Sequence, residues 1–535
     1  MVTSKLSISN NRMIMNTKMK INCFLTLAAV VVAVSSCVSG SSGETAWGDT
    51  GDGHYINPVL VADYSDPDVI RHGDKYYMVA SDFHFMGMQV LESDDLVNWK
   101  LISQIYDRFD LPGWDENEHY GRGSWAPAIR YHDGLFYVYF CTPDEGLFMS
   151  TAKDPAGPWA PLHCVKSLAG WEDPCPFWDE DGQAYLGHSR VGAGPIIIHK
   201  MSPDGKTLLD EGVTVYEGPT AEGTKIHKLN GFYYLSIPEG GVRGGWQTIL
   251  RSKDIYGPYE RKIVLETGST QINGPHQGAI VDTPFGEWWF VHFQQRDALG
   301  RIVHLQPMTW VEDWPVMGED YDGNGVGEPV ASWTKPKTKK TVKPFLPASS
   351  DNFKGGTLGL QWQFNHNPVD GKWSLSEKKG NLALHALQAD SFKKAHNTLS
   401  QKLMGFSGSY TVCLDLRHLA EGQHAGMACM GSVNYTAGIR LENGSTTLSL
   451  EKEGEILAST AFDKSKIWLR MTFEDEAKVF GFSYSKDGKD YIPIGESFEN
   501  HFGNWKGARP ALFSYNEKAV EGTAFFSDFV YRLDK

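Results

Sequence analysis

DPDVIRHGDKYYMVAS, residues 66–81, opens on an acid–proline step, runs through a β-prone stretch, turns at Gly73 and returns through aromatic residues. The same design recurs four times, as WAPAIRYHDGLFYVYF (125–140), DPCPFWDEDGQAYLGH (173–188), EGTKIHKLNGFYYLSI (222–237) and HQGAIVDTPFGEWWFVHF (276–293). Asp-Gly at 133–134 and 181–182 and Asn-Gly at 230–231 are strong hairpin signals between strand-prone runs. The repeats begin at Asp66, Trp125, Asp173, Glu222 and His276, which lie 59, 48, 49 and 54 positions apart. A strand-only period of about 50 residues predicts a β-propeller, here with five blades between residues 57 and 335. The innermost strand of each blade borders the channel, so equivalent positions converge on one axis. Three carboxylates, an indole and an imidazole are therefore expected at one channel mouth.

The segment TKPKTKKTVKPFLPASS (334–350) breaks this pattern with prolines and a basic run, and reads as a linker. Beyond Asp351 come short alternating strands such as GSYTVCLDL (408–416), TTLSLEKEG (446–454) and IWLRMTF (467–473), which predict a β-sandwich. The fold class is all-β: a five-bladed propeller followed by a sandwich.

A chain of 535 residues is too long for one ordinary core, in keeping with two domains. The net charge of −15 argues against a nucleic-acid partner, whose phosphates need a basic surface. Aromatic residues at 12% suit a sugar cleft and an all-β core equally well. NTKMKINCFLTLAAVVVAVSSC (16–37) has a Lys-bearing start and an apolar run over 23–34, the form of a secretory signal. Its end, VSSC, resembles a bacterial lipobox with Cys37 as the lipidated residue. The expected layout is a lipoprotein signal peptide over 1–36, a tether over 37–56, the propeller over 57–335, a linker over 336–350 and the sandwich over 351–535. The expected location is that of an exported bacterial lipoprotein, periplasmic or outer-membrane associated, with membrane attachment through lipid alone. Five further cysteines, Cys141, Cys164, Cys175, Cys413 and Cys429, show no metal spacing, and buried free thiols are expected, with one or two disulfides open.

Two carboxyls facing each other across a bound sugar can cleave a glycosidic bond, one protonated to donate to the leaving oxygen and one ionised. A third acid nearby raises the donor's pKa and orients it. The ordered set NPVL, DYSDPDVIRHGDKYYMVASDF, SDDLVNW, WAPAI, EDPCPFWDEDG, AEGTKI, GPHQGAIVDT, GEWWFVHFQ and GRIVHLQP resembles glycoside hydrolase family 43 over 57–312. The tail, with LGLQWQFNHNP (358–368), GARPALFSYN (507–516) and FFSDFVYRL (525–533), resembles the concanavalin A-like C-terminal domain of that family's β-xylosidases.

The resemblance implies an inverting exo-glycosidase with Asp66 as general base, Asp173 as pKa modulator and Glu222 as general acid, acting on terminal xylose or arabinose of oligosaccharides. It implies substrate contacts from Phe83, Trp125, His276 and Arg301, with Arg301 also near the modulating aspartate. No cofactor is required, and a structural Ca²⁺ on the propeller axis is open, with His276 reaching it through water. Asp63 and Asp68 are expected to support the strand mouth, Asp179 and Asp181 to cap a turn, and Glu172 to face away by strand alternation. Trp362 and Trp373 are equally suited to core or ligand. FHFMGM (83–88) shortens the family's aromatic pocket wall, and EGTK stands where its xylosidases often carry EGPH. Xylose and arabinose preferences therefore both stay open. Two other readings share the architecture: a retaining fructan-type hydrolase, which usually carries EC where this chain has EG, and a non-catalytic carbohydrate-binding lipoprotein.

Overall fold

The structure, a computed structural model, describes residues 47–534. The expected signal segment and Cys37 lie outside the described residues. Five four-stranded antiparallel sheets, each built from consecutive strands, form the propeller blades I–V. Their innermost strands are Ser65–His72, Trp125–His132, Trp171–Trp178, Lys225–Leu229 and His276–Asp282. Apolar residues seal neighbouring blades to each other. Cys175, Ile198, Ile226 and Leu235 fill the space between III and IV, and Ile249, Val264, Ile280 and Phe290 that between IV and V. The chain leading into blade I runs along blade V, where Leu60 bridges Val303 and the Tyr64 amide donates to the Arg301 carbonyl at 3.0 Å. That seam closes the ring.

The inner strands are not plain strands. In blades I, II, III and V the pairing shifts just after Ser65, Trp125, Glu172 and His276. The next residues, Asp66, Ala126, Asp173 and Gln277, all have positive φ, at 54°, 35°, 57° and 55°. Blade IV places Gly223 at φ 61° after Glu222. Those in blades I, II, III and V are β-bulges at an edge strand, the setting in which Pro67, Pro127 and Pro174 are tolerated because no ladder bond needs their missing N–H. Aspartate also accepts left-handed backbone more readily than most residues. The expected equivalence of the five repeat-initial residues is corrected by one position. Trp125, Glu222 and His276 share a frame with Ser65 and Glu172, whereas Asp66 and Asp173 occupy the bulged position that follows.

The sandwich packs two sheets, antiparallel but for the short parallel pairing of Leu387–Gln388 with Tyr515–Asn516. One centres on Arg509–Asn516, Gln423–Met430, Tyr435–Glu442 and Ser445–Lys452, the other on Thr523–Leu533, Gly408–Asp415, Lys466–Glu474 and Val479–Ser485. In Lys466–Glu474 the alternate residues Ile467, Leu469, Met471 and Phe473 are fully buried, the period-2 signature of a half-buried strand. Trp362 is core, with its Nε1 donating to Asp351 at 3.0 Å, while Trp373 is half-buried against Phe364. Cys141, Cys175, Cys413 and Cys429 are buried free thiols as expected, but Cys164 is exposed. No helix among the described residues is long and apolar enough to cross a membrane.

Propeller and sandwich share one apolar core, in which Val59, Leu60 and Val303 meet Leu403, Met404 and Tyr410. They also share a buried charge set of Asp63, Asp82, Lys402, Lys506 and Arg509. Lys402 is paired with Asp82, and burial drives its ammonium down to about 7. Lys506 reaches Asp63 at 3.3 Å and donates to the Ser81 carbonyl at 2.9 Å.

Candidate active site

Asp66 is held at its bulge by two donors. Ser81 Oγ donates to Oδ2 at 2.6 Å and Arg301 Nη1 to Oδ1 at 2.7 Å. Ser81 lies opposite Ser65 on the adjacent strand, and its hydroxyl also accepts from the Ala126 amide at 2.6 Å. The carboxylate is thus fixed by blades I, II and V together. The Arg301 guanidinium pairs with Asp66, and both side chains are almost fully buried.

Asp173 occupies the equivalent bulge in blade III. Its Oδ2 accepts from the Gly223 amide at 2.6 Å and from Ser189 Oγ at 3.3 Å. The first bond anchors the backbone next to Glu222. Gly223 suits that turn, because at φ 61° a Cβ would lie 2.5 Å from Pro238. Burial, and then the charge of Asp66, raise the Asp173 carboxyl above the ordinary aspartate range.

The side chains of Glu222, Asp173 and Glu172 converge, each offering an oxygen within 4.8 Å of the others. Burial, reinforced by the Asp173 charge and opposed by Arg301, pushes Glu222 up to about 8. A carboxyl so placed holds its proton at neutral pH and can donate it.

Glu172 corrects the sequence expectation. Strand alternation should turn it away from Asp173, but the left-handed bulge interrupts the alternation and brings both residues into the cluster. Glu172 is 5% exposed and accepts from the Ala193 amide at 3.0 Å. Burial, then Asp173, drive its pKa strongly upward. The sequence signal was the DP step itself, because proline inside a strand points to an edge position or a bulge.

The remaining candidates gather around these acids. His276 is fully buried, its Nδ1 faces the Gly274 carbonyl at 2.7 Å, and its Nε2 has no protein partner. Trp125 is half-buried, donates to the Gly121 carbonyl at 3.0 Å, and meets Phe83 and Trp505 edge-on at 6.1 and 5.9 Å. Phe83 is only 3% exposed, which leaves little of its ring for a sugar. Asp63 braces the site from below, accepting from the Arg301 and Gly507 amides at 2.9 and 3.0 Å. Asp68 ties blade I to blade II through Arg130 at 2.6 Å. Asp181 caps its turn, accepting from the Gln183 amide at 2.9 Å, whereas Asp179 reaches further and binds Lys228 and Tyr233 of blade IV.

The sandwich supplies residues that sequence reasoning missed. Trp505 is 46% exposed beside Trp125, and Arg301 lies 5.8 Å from the rings of both Phe502 and Trp505. No local motif announces them, because they are brought in by the long-range packing of the second domain. Among the described residues, the acid trio and His424, Glu442 and Glu517 are the groups close enough to share an ion, and neither includes His276. Calcium prefers six to eight oxygen ligands. A calcium ion beside His276 would therefore take its oxygen ligands from water and from groups other than an acid cluster.

Residues 55–315 match the family model described as glycosyl hydrolases family 43, and residues 350–532 match the β-xylosidase C-terminal concanavalin A-like domain. The chain belongs to glycoside hydrolase family 43. It is therefore a glycoside hydrolase, and the acid-lined propeller mouth is its candidate active site. A relative in Xylanibacter ruminicola that carries a β-xylosidase name is 58% identical over 86% of this chain and 86% of its own. The β-xylosidase of Formosa agariphila is 36% identical over 91% of this chain and 92% of its own. The non-reducing end α-L-arabinofuranosidase BoGH43B of Bacteroides ovatus is 34% identical over 62% of this chain and 64% of its own.

Proposed function

We propose that this family 43 enzyme is an inverting exo-glycosidase that removes terminal β-D-xylose or α-L-arabinofuranose from xylan- or arabinan-derived oligosaccharides. The observation that carries the reading is the pairing of unlike carboxyls at one mouth. Glu222 is held protonated beside Asp173, while Asp66 faces the Arg301 guanidinium. Asp66 accepts a proton from the attacking water, which adds to the anomeric carbon from the face opposite the leaving group. Glu222 delivers its proton to the departing glycosidic oxygen. Asp173 keeps that proton in place through its charge and through its hold on the Gly223 amide. Trp125, His276 and Arg301 line the sugar, and Trp505 narrows the mouth toward exo action. The β-xylosidase names of the Xylanibacter and Formosa relatives support xylose, and that of the Bacteroides relative keeps arabinofuranose open.

The test compares wild type with Glu222→Ala on p-nitrophenyl β-D-xyloside and α-L-arabinofuranoside, with proton NMR of the released sugar during turnover. Inversion at the anomeric carbon and loss of turnover in the variant are expected. A retained anomer would support the fructan-type double displacement, and equal turnover by both proteins would remove Glu222 from its role. Inactivity of wild type on every pentoside would favour the binding-only reading.

Lipidation at Cys37, and with it attachment to a bacterial membrane facing the periplasm or the outside, belongs to the same proposal and rests on the VSSC motif. Radiolabelled palmitate should label wild type and not Cys37→Ser. A calcium ion reached from His276 through water is likewise proposed, supported by the unpartnered Nε2. No step of the reaction is routed through it.

A further inference from the structure

The five inner strands all run in the same direction, so the catalytic residues at their starts have counterparts at their ends. Five residues beyond Asp66 lies Arg71, roughly 16 Å along the strand. Arg71, His132, Trp178, Leu229 and Asp282, the closing or near-closing residues of the five inner strands, surround a second cavity of about 380 Å³ at the other end of the axis. No acid of the proposed mechanism lines it.

Its wall combines aromatic surface with balanced charge. Trp178 stacks on His132 at 4.7 Å and 9°, Trp288 meets Trp310 edge-on at 5.6 Å, and Tyr131 stands 43% exposed at the rim. Every cation in the wall has its own carboxylate. Arg71 pairs with Asp282 through two bonds of 2.9 and 2.7 Å, Arg130 with Asp68 at 2.6 Å, and Lys228 with Asp179. His227, lowered to about 3 first by burial and then by Arg130, adds no charge. Such a wall has no unpaired charge to attract an anion or a cation. It offers flat apolar rings beside fixed donors and acceptors, which suits a neutral, hydroxyl-rich ligand whose C–H face lies on an aromatic ring. The volume falls within the range of about 300–1,000 Å³ usual for small-ligand sites.

We propose that this opposite mouth of the propeller channel is a second, non-catalytic carbohydrate-binding site, which takes one or two sugar rings of an oligosaccharide while the acid-lined mouth acts on another chain end. The site does not depend on the roles given to the three acids, and its test avoids them. A non-hydrolysable thio-linked xylotriose, D-xylose and L-arabinose are titrated calorimetrically into the full chain, and then into Trp178→Ala and Arg71→Met. Two classes of site are expected for at least one probe, one of them weakened about tenfold or more by each substitution. The other class, and kcat/KM on the aryl pentosides, should stay unchanged. Arg71→Met alters a half-exposed ion pair at the rim, so it keeps the test decisive if truncating Trp178 disturbs blade III. A single class of site for all three probes, or a second class that Arg71→Met leaves untouched, would overturn the proposal.

Discussion

Arg301 Nη1 sits 2.7 Å from Asp66 Oδ1, so a strand of blade V fixes the orientation of a carboxylate in blade I. The same residue's backbone amide donates to Asp63 at 2.9 Å, which locks the guanidinium in register with the bulge. Lysine can carry the charge but not the planar fork. Arg301→Lys is expected to lower kcat/KM on aryl pentosides by about a hundredfold. Arg301→Met should in addition cost about 3 kcal/mol of stability in urea unfolding, because it strands a buried carboxylate. Near-wild-type kinetics for the lysine variant would show that positive charge alone suffices.

The pH profile follows from the direction of the Glu222 shift. Its carboxyl is raised to about 8, mainly by burial, so the protonated donor persists through neutrality and is lost as pH rises through that value. The alkaline limb of kcat/KM should therefore fall near pH 8, well above an ordinary glutamate. In Asp173→Asn, which removes the next-largest raising influence, the limb should move toward lower pH. An unmoved limb would separate Asp173 from the titration.

Glu172 makes a stability prediction of definite sign. Its folded pKa lies above the unfolded value, so the favourable contribution of its neutral form is complete below the unfolded pKa and declines as pH rises toward the folded one. Glu172→Gln does not titrate. Its stability relative to wild type should grow between about pH 5 and pH 8, by on the order of 2 kcal/mol. Thermal unfolding of both proteins across that range measures it, and parallel curves would mean that Glu172 does not titrate differently on folding.

The buried charge set between the domains yields a fourth expectation. Asp82 faces both Lys402 and Lys506, and all three are almost fully buried. Asp82→Asn should destabilise the chain by about 3 kcal/mol, since two ammonium groups lose a shared partner in a dry site. It should also lower activity, because Lys506 reaches the Ser81 carbonyl and the Ser81 hydroxyl supports Asp66. Urea unfolding and kcat/KM on the same preparation would report the two effects. A loss of stability without any loss of activity would break the link from Lys506 to Asp66.

The features legible from sequence are those written locally. Hairpin turns such as Asn230-Gly231 and the aromatic return strands revealed five blades because each blade is a self-contained meander of neighbouring strands. Asp66, Asp173 and Glu222 could be singled out because the repeat brings each to the mouth of a blade, within one position of the shared frame. Glu172 could not, since strict alternation assumes an unbroken pleat and the bulge at Asp173 breaks it. Trp505 and Lys506 were beyond reach for another reason: they meet Trp125 and Ser81 across hundreds of residues, through a domain packing that no periodicity encodes. The pairing of Arg301 with Asp66 is not legible locally either, because which carboxylate a long side chain selects depends on the ring seam and not on its own strand.

The bulge repeated in the inner strands also has a meaning for how such a site changes over time. A regular strand would turn one residue of each adjacent pair inward and the other outward. With left-handed backbone at the second residue, Glu172 and Asp173 both reach the mouth. Where both members of a pair look inward, one can be exchanged while its neighbour stays in place. The chemistry and the preference for a particular sugar can then diverge independently at adjacent codons.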